Sequence, residues 1–122
     1  MIDHLELAVS NLAASSAFYA AALVPLGYGH VVARDAVSGF GTDAVAPDFW
    51  VCQGGPSQPL PHVAFRCETR SLVERCYAAA LAAGGRTRVA PVLMPQVHPS
   101  YFAAQVLDLD GHNVEFACHA AA

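Results

Sequence analysis

The sequence contains no lysine, and its six basic residues are all arginines spread along the chain. Charged residues of either sign make up only 13% of the composition, and the formal net charge is −4. Proteins that bind nucleic acids usually carry basic residues clustered on one face. Because the arginines form no run, nucleic acid is not expected to be a partner of this protein.

Long apolar runs are missing as well. No stretch approaches the roughly 18 consecutive apolar residues that a membrane-spanning helix requires. Asp3, His4 and Glu6 interrupt any apolar leader at the N-terminus. The four cysteines show no CxxC spacing, so we expect reduced, buried side chains and no disulfide framework. These absences favour a cytoplasmic protein that has no membrane partner.

Apolar residues, in contrast, make up 55% of the 122 residues, which is more than in an average soluble domain. This length fits one domain with a single core. We therefore expect a single domain over residues 1–122, with a first module at about 1–53, a linker at 54–61 and a second module at about 62–119.

The two modules are predicted from an internal repeat. The segments Phe18–Leu23 and Cys76–Leu81 share five of six residues, and they lie 58 residues apart. The same spacing joins His4 to His62, each at the start of an apolar strand pattern. A helix and a histidine that share one spacing indicate a duplicated unit.

Each module has the pattern of one strand, one helix and three further strands, which predicts an α+β fold of two βαβββ units. Ser10 or Asn11 is expected to cap the first helix, and Thr69 or Ser71 the second. A tight turn is expected at Asp108–Gly111 and a proline-containing loop at 91–100. The predicted strands cover residues 2–9, 28–34, 36–42, 48–53, 61–67, 86–90, 101–107 and 112–119.

Strand alternation places ionisable side chains on the faces opposite the helices. His4 and Glu6 share a face of the first strand, His62 and Arg66 a face of the fifth, and Glu115 lies on the polar face of the last. If these faces converge, His4, His62 and Glu115 form a set of two histidines and one carboxylate. Such a set binds a divalent metal and leaves positions open for water and substrate.

The sequence resembles the vicinal oxygen chelate superfamily, which includes glyoxalase I, extradiol dioxygenases and bleomycin-resistance proteins. The resemblance covers essentially the whole chain. It is carried by the segments Ile2–Val9, Phe18-Tyr19, Pro61–Phe65, Leu107–Glu115 and His98–Tyr101. It implies two βαβββ modules whose sheets curve into a cleft, a homodimer, and a small-molecule substrate or ligand. It also implies that His4, His62 and Glu115 bind a divalent metal ion (Fe, Mn, Ni or Zn).

Glyoxalase I has a fourth metal ligand, a glutamate on its fourth strand. Aligning the two closing strands places Trp50 opposite Glu115, and the nearest carboxylate, Asp48, is two residues away. This departure favours a three-ligand member, such as a lyase, isomerase or ring-cleaving dioxygenase, over glyoxalase I itself.

Two residues are candidates for the chemistry. His98 is predicted as an acid–base group because an imidazole titrates near neutral pH, and Tyr101 as a hydrogen-bond donor to the substrate. Glu6, Trp50 and Arg66 are predicted to line the substrate pocket, and Phe49 and Met94 to add an apolar wall. Alternatively, His98 caps its loop, Tyr101 packs on its strand, and Trp50 and Phe49 belong to the core.

A metal-free function is the second hypothesis. Bleomycin-resistance proteins sequester a drug in the cleft of a dimer and need no metal ligands. An acidic group such as Glu6 would favour a cationic guest in such a cleft. The metal content of the purified protein distinguishes the two hypotheses.

Overall fold

Eight strands and two helices follow one another in the order β-α-β-β-β, twice, which confirms the predicted α+β fold. The computed structural model describes all 122 residues. A short 3-10 turn at Val24–Leu26 follows the first helix. The elements are β1 Leu5–Val9, α1 Leu12–Ala22, β2 Gly29–Arg34, β3 Val37–Gly41, β4 Phe49–Gln53, β5 His62–Arg66, α2 Arg70–Ala82, β6 Arg86–Leu93, β7 Phe102–Leu107 and β8 Asn113–Cys118.

Both helices begin at a side-chain cap. The side chain of Asn11 accepts a hydrogen bond from the backbone N–H of Ala14 at 3.0 Å. The hydroxyl of Thr69 accepts one from the backbone N–H of Leu72 at 3.1 Å. Of the alternatives that the sequence left open, Asn11 and Thr69 are therefore the caps, and each satisfies one of the free N–H groups of a first helical turn.

The strands form two four-stranded mixed sheets of identical topology, β1-β4-β3-β2 and β5-β8-β7-β6. In each sheet the first strand of the module pairs in parallel with the last, and the other pairs are antiparallel. The register is the same in both sheets, because Glu6 lies opposite Trp50 as Ala64 lies opposite Glu115.

One hydrophobic core joins the two modules. The Phe49 ring lies 4.9 Å from that of Tyr19 and 5.2 Å from that of Phe65, measured between centroids. Phe65 in turn stacks on Phe116 at 6.0 Å. The apolar face of each sheet therefore packs against the helices and the other module, and the polar face is turned away from this core.

Polar contacts also connect the modules. Tyr19 on α1 donates a hydrogen bond of 2.5 Å to the buried carboxylate of Asp108, in the turn before β8. Asp108 also accepts from the ring Nδ1 and the backbone N–H of His112, both at 2.8 Å. The Ser10 hydroxyl donates to Asp110 in the same turn. The predicted turn at Asp108–Gly111 is thus confirmed, and its carboxylates hold it against the first module.

The prediction for residues 91–100 is wrong at its start, because β6 continues through Pro91 to Leu93. Two features of β6 make this possible. It is the edge strand of its sheet, and its pairing with β7 shifts register between Val89 and Val92. Proline lacks a backbone N–H and is tolerated at such edge and bulge positions. The first strand is also shorter than predicted, so His4 immediately precedes it.

The four cysteines are free thiols, as predicted, and Cys67, Cys76 and Cys118 are buried. Neither α1 nor α2 is long and apolar enough to cross a lipid bilayer.

Candidate functional site

A buried carboxylate, Glu115, lies on the outer face of the second sheet. It is only 5% exposed and accepts hydrogen bonds from three side chains. His62 Nε2 lies 2.8 Å from its Oε1, the Tyr101 hydroxyl donates to Oε2 at 2.6 Å, and Gln105 Nε2 is 3.4 Å from Oε1. A buried charge of this kind requires such donors.

The sheet register explains why these residues meet. Gln105 on β7 lies directly opposite Glu115 on β8, and on the other side of Glu115 lies Ala64 of β5. His62 is two residues before Ala64 and so points to the same face. Its side chain is 45% exposed, so an outside molecule has access to the imidazole beside the buried carboxylate.

The Tyr101 hydroxyl, predicted to bond to a substrate, donates its hydrogen bond to Glu115 within the chain. Burial, together with the hydrogen bond to Glu115 and its charge, raises the pKa of Tyr101 to about 12. The phenol therefore stays protonated near neutral pH and keeps donating its proton to the carboxylate.

The floor of this outer face is made of small or apolar side chains. Ala103 and Ala117 are buried and pack with Met94, so the predicted apolar wall at Met94 is part of a small second core. Above them a cavity of about 160 Å³ is lined by Ala64, Phe65, Arg66, Tyr101, Ala117 and His119. Arg66, predicted as a pocket residue, thus lies at a cavity beside Tyr101.

His98 does not stand free in its loop. Its Nε2 lies 2.7 Å from Nδ1 of His119, and the two rings stack at a centroid distance of 4.7 Å. The backbone N–H of Ser100 donates to His98 Nδ1 at 3.2 Å. Because both ring nitrogens have partners, His98 cannot exchange a proton with a ligand unless one of these bonds opens.

The first module carries a different cavity, of about 440 Å³. His4 Nδ1 lies 2.6 Å from Oδ1 of the neighbouring Asp3, within hydrogen-bond distance. The Trp50 indole N–H donates to the carbonyl of Pro47, and the Arg34 guanidinium lies over its ring at 5.9 Å. The residues that line this cavity are Asp3, His4, Glu6, Arg34, Val37, Val45, Ala46, Pro47 and Trp50.

Within one chain, the structure therefore brings His62 and Glu115 together but not His4. No three histidine, cysteine, aspartate or glutamate side chains converge as a set of metal ligands. Glu6 and Trp50 line the same cavity as His4, whereas Phe49, which belongs to the core, lines a separate cavity of about 420 Å³ together with His62.

The equal registers of the two sheets make Trp50 the structural counterpart of Glu115. This agrees with the alignment of the two closing strands, and it confirms that the first module offers a histidine without a carboxylate at the matching position. Asp48, the nearest carboxylate, immediately precedes this strand, and burial of the Tyr28 phenol together with Asp48 raises the pKa of Tyr28 above its ordinary value.

Two residues of the second module were not selected as site residues from the sequence. Strand alternation in the sequence could have identified both residues. His119 follows Asn113, Glu115 and Ala117 at steps of two, and Gln105 faces Glu115 across the β7–β8 pair. Gln105 accepts from Arg88 at 3.1 Å and from Asn113 at 3.0 Å, which fixes its amide.

Comparisons with known proteins agree with this architecture. The model of the glyoxalase/bleomycin resistance protein/dioxygenase superfamily matches residues 1–116. A glyoxalase/bleomycin resistance protein from Albidiferax ferrireducens T118 superimposes with a TM-score of 0.83 at 22% identity, covering 97% of this chain and 98% of that one. A glyoxalase/bleomycin resistance protein/dioxygenase family enzyme from Burkholderia phytofirmans PsJN gives a TM-score of 0.75 at 16% identity, covering 98% of both chains.

A glyoxalase I variant from Zea mays matches with a TM-score of 0.72 at 20% identity, over 95% of this chain and 46% of that one. These identities establish a shared fold and nothing finer. No curated protein sequence matches the chain.

Proposed function

Because the chain belongs to the glyoxalase/bleomycin resistance protein/dioxygenase superfamily, we propose that it is a metal-dependent enzyme that acts on a small substrate with vicinal oxygens. The observation that carries this proposal is the pairing of His62 with Glu115. An accessible imidazole nitrogen lies 2.8 Å from the oxygen of a buried carboxylate, on one face of one sheet.

The donor chemistry fits a divalent transition metal. Imidazole nitrogen and carboxylate oxygen are the usual protein ligands of Fe, Mn, Ni and Zn. Two donors are one fewer than the set that such metals usually take from a protein while leaving positions open. We assign the third to His4, whose ring is exposed at the cavity of the first module.

His4 comes, in this proposal, from a second copy of the chain. A symmetric homodimer that faces the first module of each copy toward the second module of the other builds two equal sites. The charges of the two faces support this pairing. At the cavity that His4 lines, Asp3 and Glu6 outnumber the single arginine Arg34, whereas Arg88 lies on the face that carries Glu115.

When bound, the metal supplies Lewis-acid stabilisation of negative charge that develops on the oxygens of the substrate. Tyr101 and Gln105 hold the Glu115 carboxylate in one orientation. Trp50 contributes an apolar ring where a fourth ligand would otherwise lie. The hydrogen bonds of His98 favour a role in orienting His119 and not a role in direct proton transfer.

Metal content tests this proposal. The wild-type protein, purified without chelator or reloaded with Fe, Mn, Ni or Zn, should bind about one ion per chain. His62→Ala and Glu115→Gln should lose it and keep the circular-dichroism spectrum. His30→Ala and Glu74→Gln, which change exposed residues outside the site, should retain the metal. A wild-type protein that takes up none of these metals overturns the enzyme proposal.

One observation favours the alternative of metal-free sequestration. The cavity of the first module combines the Trp50 ring with the carboxylates of Asp3 and Glu6, and such a set attracts an aromatic or cationic guest. Under this alternative, the metal-free protein binds a cationic drug such as bleomycin. Glu6→Gln weakens that binding, and His62→Ala leaves it unchanged.

A further inference from the structure

The stacked pair of His98 and His119 has a defined direction of hydrogen bonding. A backbone N–H can only donate, so the bond from Ser100 makes Nδ1 of His98 an acceptor without a proton. The proton of neutral His98 is then on Nε2, from which it is donated to Nδ1 of His119 over 2.7 Å. His98 is thus a positioning residue for His119.

This chain of bonds fixes the tautomer of His119. Because its Nδ1 accepts, the proton of the neutral ring is on Nε2, the nitrogen that has no partner within the protein. The Tyr101 ring packs edge-on against His119 at 5.1 Å and limits its rotation. An oriented N–H donor is therefore presented at the cavity of about 160 Å³ that His119 lines.

Arg66 is the second donor at this cavity. It lines the same space and forms no ion pair with any carboxylate of the chain. Glu115, the carboxylate on this face, already accepts hydrogen bonds from His62, Tyr101 and Gln105. The cavity therefore presents the guanidinium of Arg66, which has no ion-pair partner within the chain, and an imidazole N–H donor above the small side chains Ala64 and Ala117.

We propose that Arg66 and His119 bind a carboxylate group of the ligand that occupies the cleft beside Glu115. A guanidinium matches the two oxygens of a carboxylate with two parallel N–H donors, and the imidazole N–H supplies a third bond. The proposal rests on the proposed function only in placing the vicinal oxygens of this ligand at His62 and Glu115. The substrate class is then a carboxylic acid with vicinal oxygens.

The number of donors favours a carboxylate over a phosphate. A phosphate group carries more charge and more oxygens, and its sites usually add backbone N–H groups or further cations. The residues that line this cavity include one arginine, one histidine and no lysine. One unit of positive charge matches one carboxylate.

A matched pair of probes tests the subsite. Catechol and 3,4-dihydroxybenzoate share vicinal oxygens and differ in one carboxylate. By calorimetry, the metal-loaded wild-type protein should bind 3,4-dihydroxybenzoate at least about tenfold more tightly than catechol. This preference should disappear in Arg66→Gln and in His119→Ala, and persist in Arg75→Gln, which removes an exposed arginine of α2. Absence of the preference in wild type, or its persistence in both subsite variants, overturns the proposal.

Three further outcomes would also contradict the proposal. If inorganic phosphate displaces 3,4-dihydroxybenzoate as well as benzoate does, the site is not selective for carboxylates. If Arg66→Gln dissociates the oligomer, the guanidinium serves the interface between copies. In histidine ¹⁵N NMR spectra, His119 should carry its proton on Nε2 in wild type and populate both tautomers in His98→Ala. A proton on Nδ1 in wild type excludes the proposed donor.

The same titrations separate this inference from the proposed function. If catechol binding requires metal and Glu115, but the carboxylate of 3,4-dihydroxybenzoate adds no affinity, the subsite proposal is wrong and the enzyme proposal remains. A carboxylate preference that remains in chelator-treated protein and in Glu115→Gln supports the subsite and counts against the metal proposal.

Discussion

A single carboxylate, Glu115, organises the outer face of the second sheet. Its two oxygens accept hydrogen bonds from an imidazole, a phenol and an amide, which hold the buried carboxylate in one orientation. The donors differ in exposure, since His62 is open to solvent and Tyr101 is half-buried. The His62 side of Glu115 is therefore the more open one, while the Tyr101 hydroxyl holds Oε2 of the carboxylate.

Tyr101→Phe removes one of these supports and leaves Oε2 of Glu115 without its phenol donor. We expect metal affinity to fall by about 10–100-fold, as for other lost partners of metal ligands. Tyr77→Phe is the matched control, because the hydroxyl of Tyr77 bonds to Thr87 on the surface. Metal titrations of both variants would measure the effect, and equal affinities would show that Tyr101 does not tune the site.

The residues of this site were predictable to different degrees. His62 and Glu115 were predicted to converge from alternation and the repeat, and they do. Tyr101 and His98 were selected as candidates, but the sequence could not show that Glu115 and His119 occupy their polar atoms. Such pairing depends on the path of the loop between β6 and β7, which carries no periodic pattern.

Among the strands and helices, those with a clear alternation or a capping residue were predicted within one to three residues of their bounds. The largest differences, three residues each, are at the start of β1 and at the end of β6, which continues through Pro91 because an edge strand with a register shift accommodates proline. Its length shortens the following loop, and this loop holds His98 next to the end of β8.

The turn between α2 and β6 depends on a close approach at Gly85. A Cβ at this position would lie 2.5 Å from Cγ1 of Val106 and 2.9 Å from the carbonyl oxygen of Ala80. Gly85→Ala should therefore lower the free energy of unfolding by about 1–3 kcal/mol through overpacking.

Gly55→Ala provides the control for this prediction, because nothing lies within 4 Å of the added methyl group. Its effect should stay within about 0.5 kcal/mol. Urea denaturation of both variants makes the comparison, and equal stabilities would mean that the α2–β6 turn relaxes without cost.

Across the two modules, packing and polar contacts act together. The aromatic series Tyr19, Phe49 and Phe65 crosses from one module to the other, and Tyr19 also bonds to Asp108 of the second. Burial, together with Asp108, raises the pKa of Tyr19 well above its ordinary value. The folded protein therefore keeps this phenol protonated at pH values at which an unfolded chain releases the proton.

Tyr19→Phe should lower the free energy of unfolding near pH 7 by roughly 1.5–3 kcal/mol, because Asp108 loses a buried donor. Its effect on pH dependence has a definite sign. Because the pKa of Tyr19 is higher in the folded than in the unfolded protein, this phenol stabilises the folded state fully below about pH 10. The stabilisation is lost as the pH rises further. Stability of the wild type should thus decline more steeply above pH 10 than that of the variant. Parallel curves in denaturation experiments at pH 7–11 would contradict this account.

The sequence predicted two modules, each with a histidine, but not the direction in which the polar face of each module points. Because they share one core, each presents its polar face outward, and a single chain does not bring His4 together with His62 and Glu115. The periodicity of the sequence does not predict this arrangement, because the same strand pattern is compatible with a cleft within one chain and with a cleft between two chains.

The sharing of ligands between copies is tested most directly by mixing two defective variants. His4→Ala and Glu115→Gln should each bind almost no metal alone. After exchange of subunits, half of the dimers combine both variants, and each of these contains one site with all three ligands. Metal content should therefore recover to about a quarter of the wild-type value. A mixture that binds no more metal than the separate variants would contradict the account.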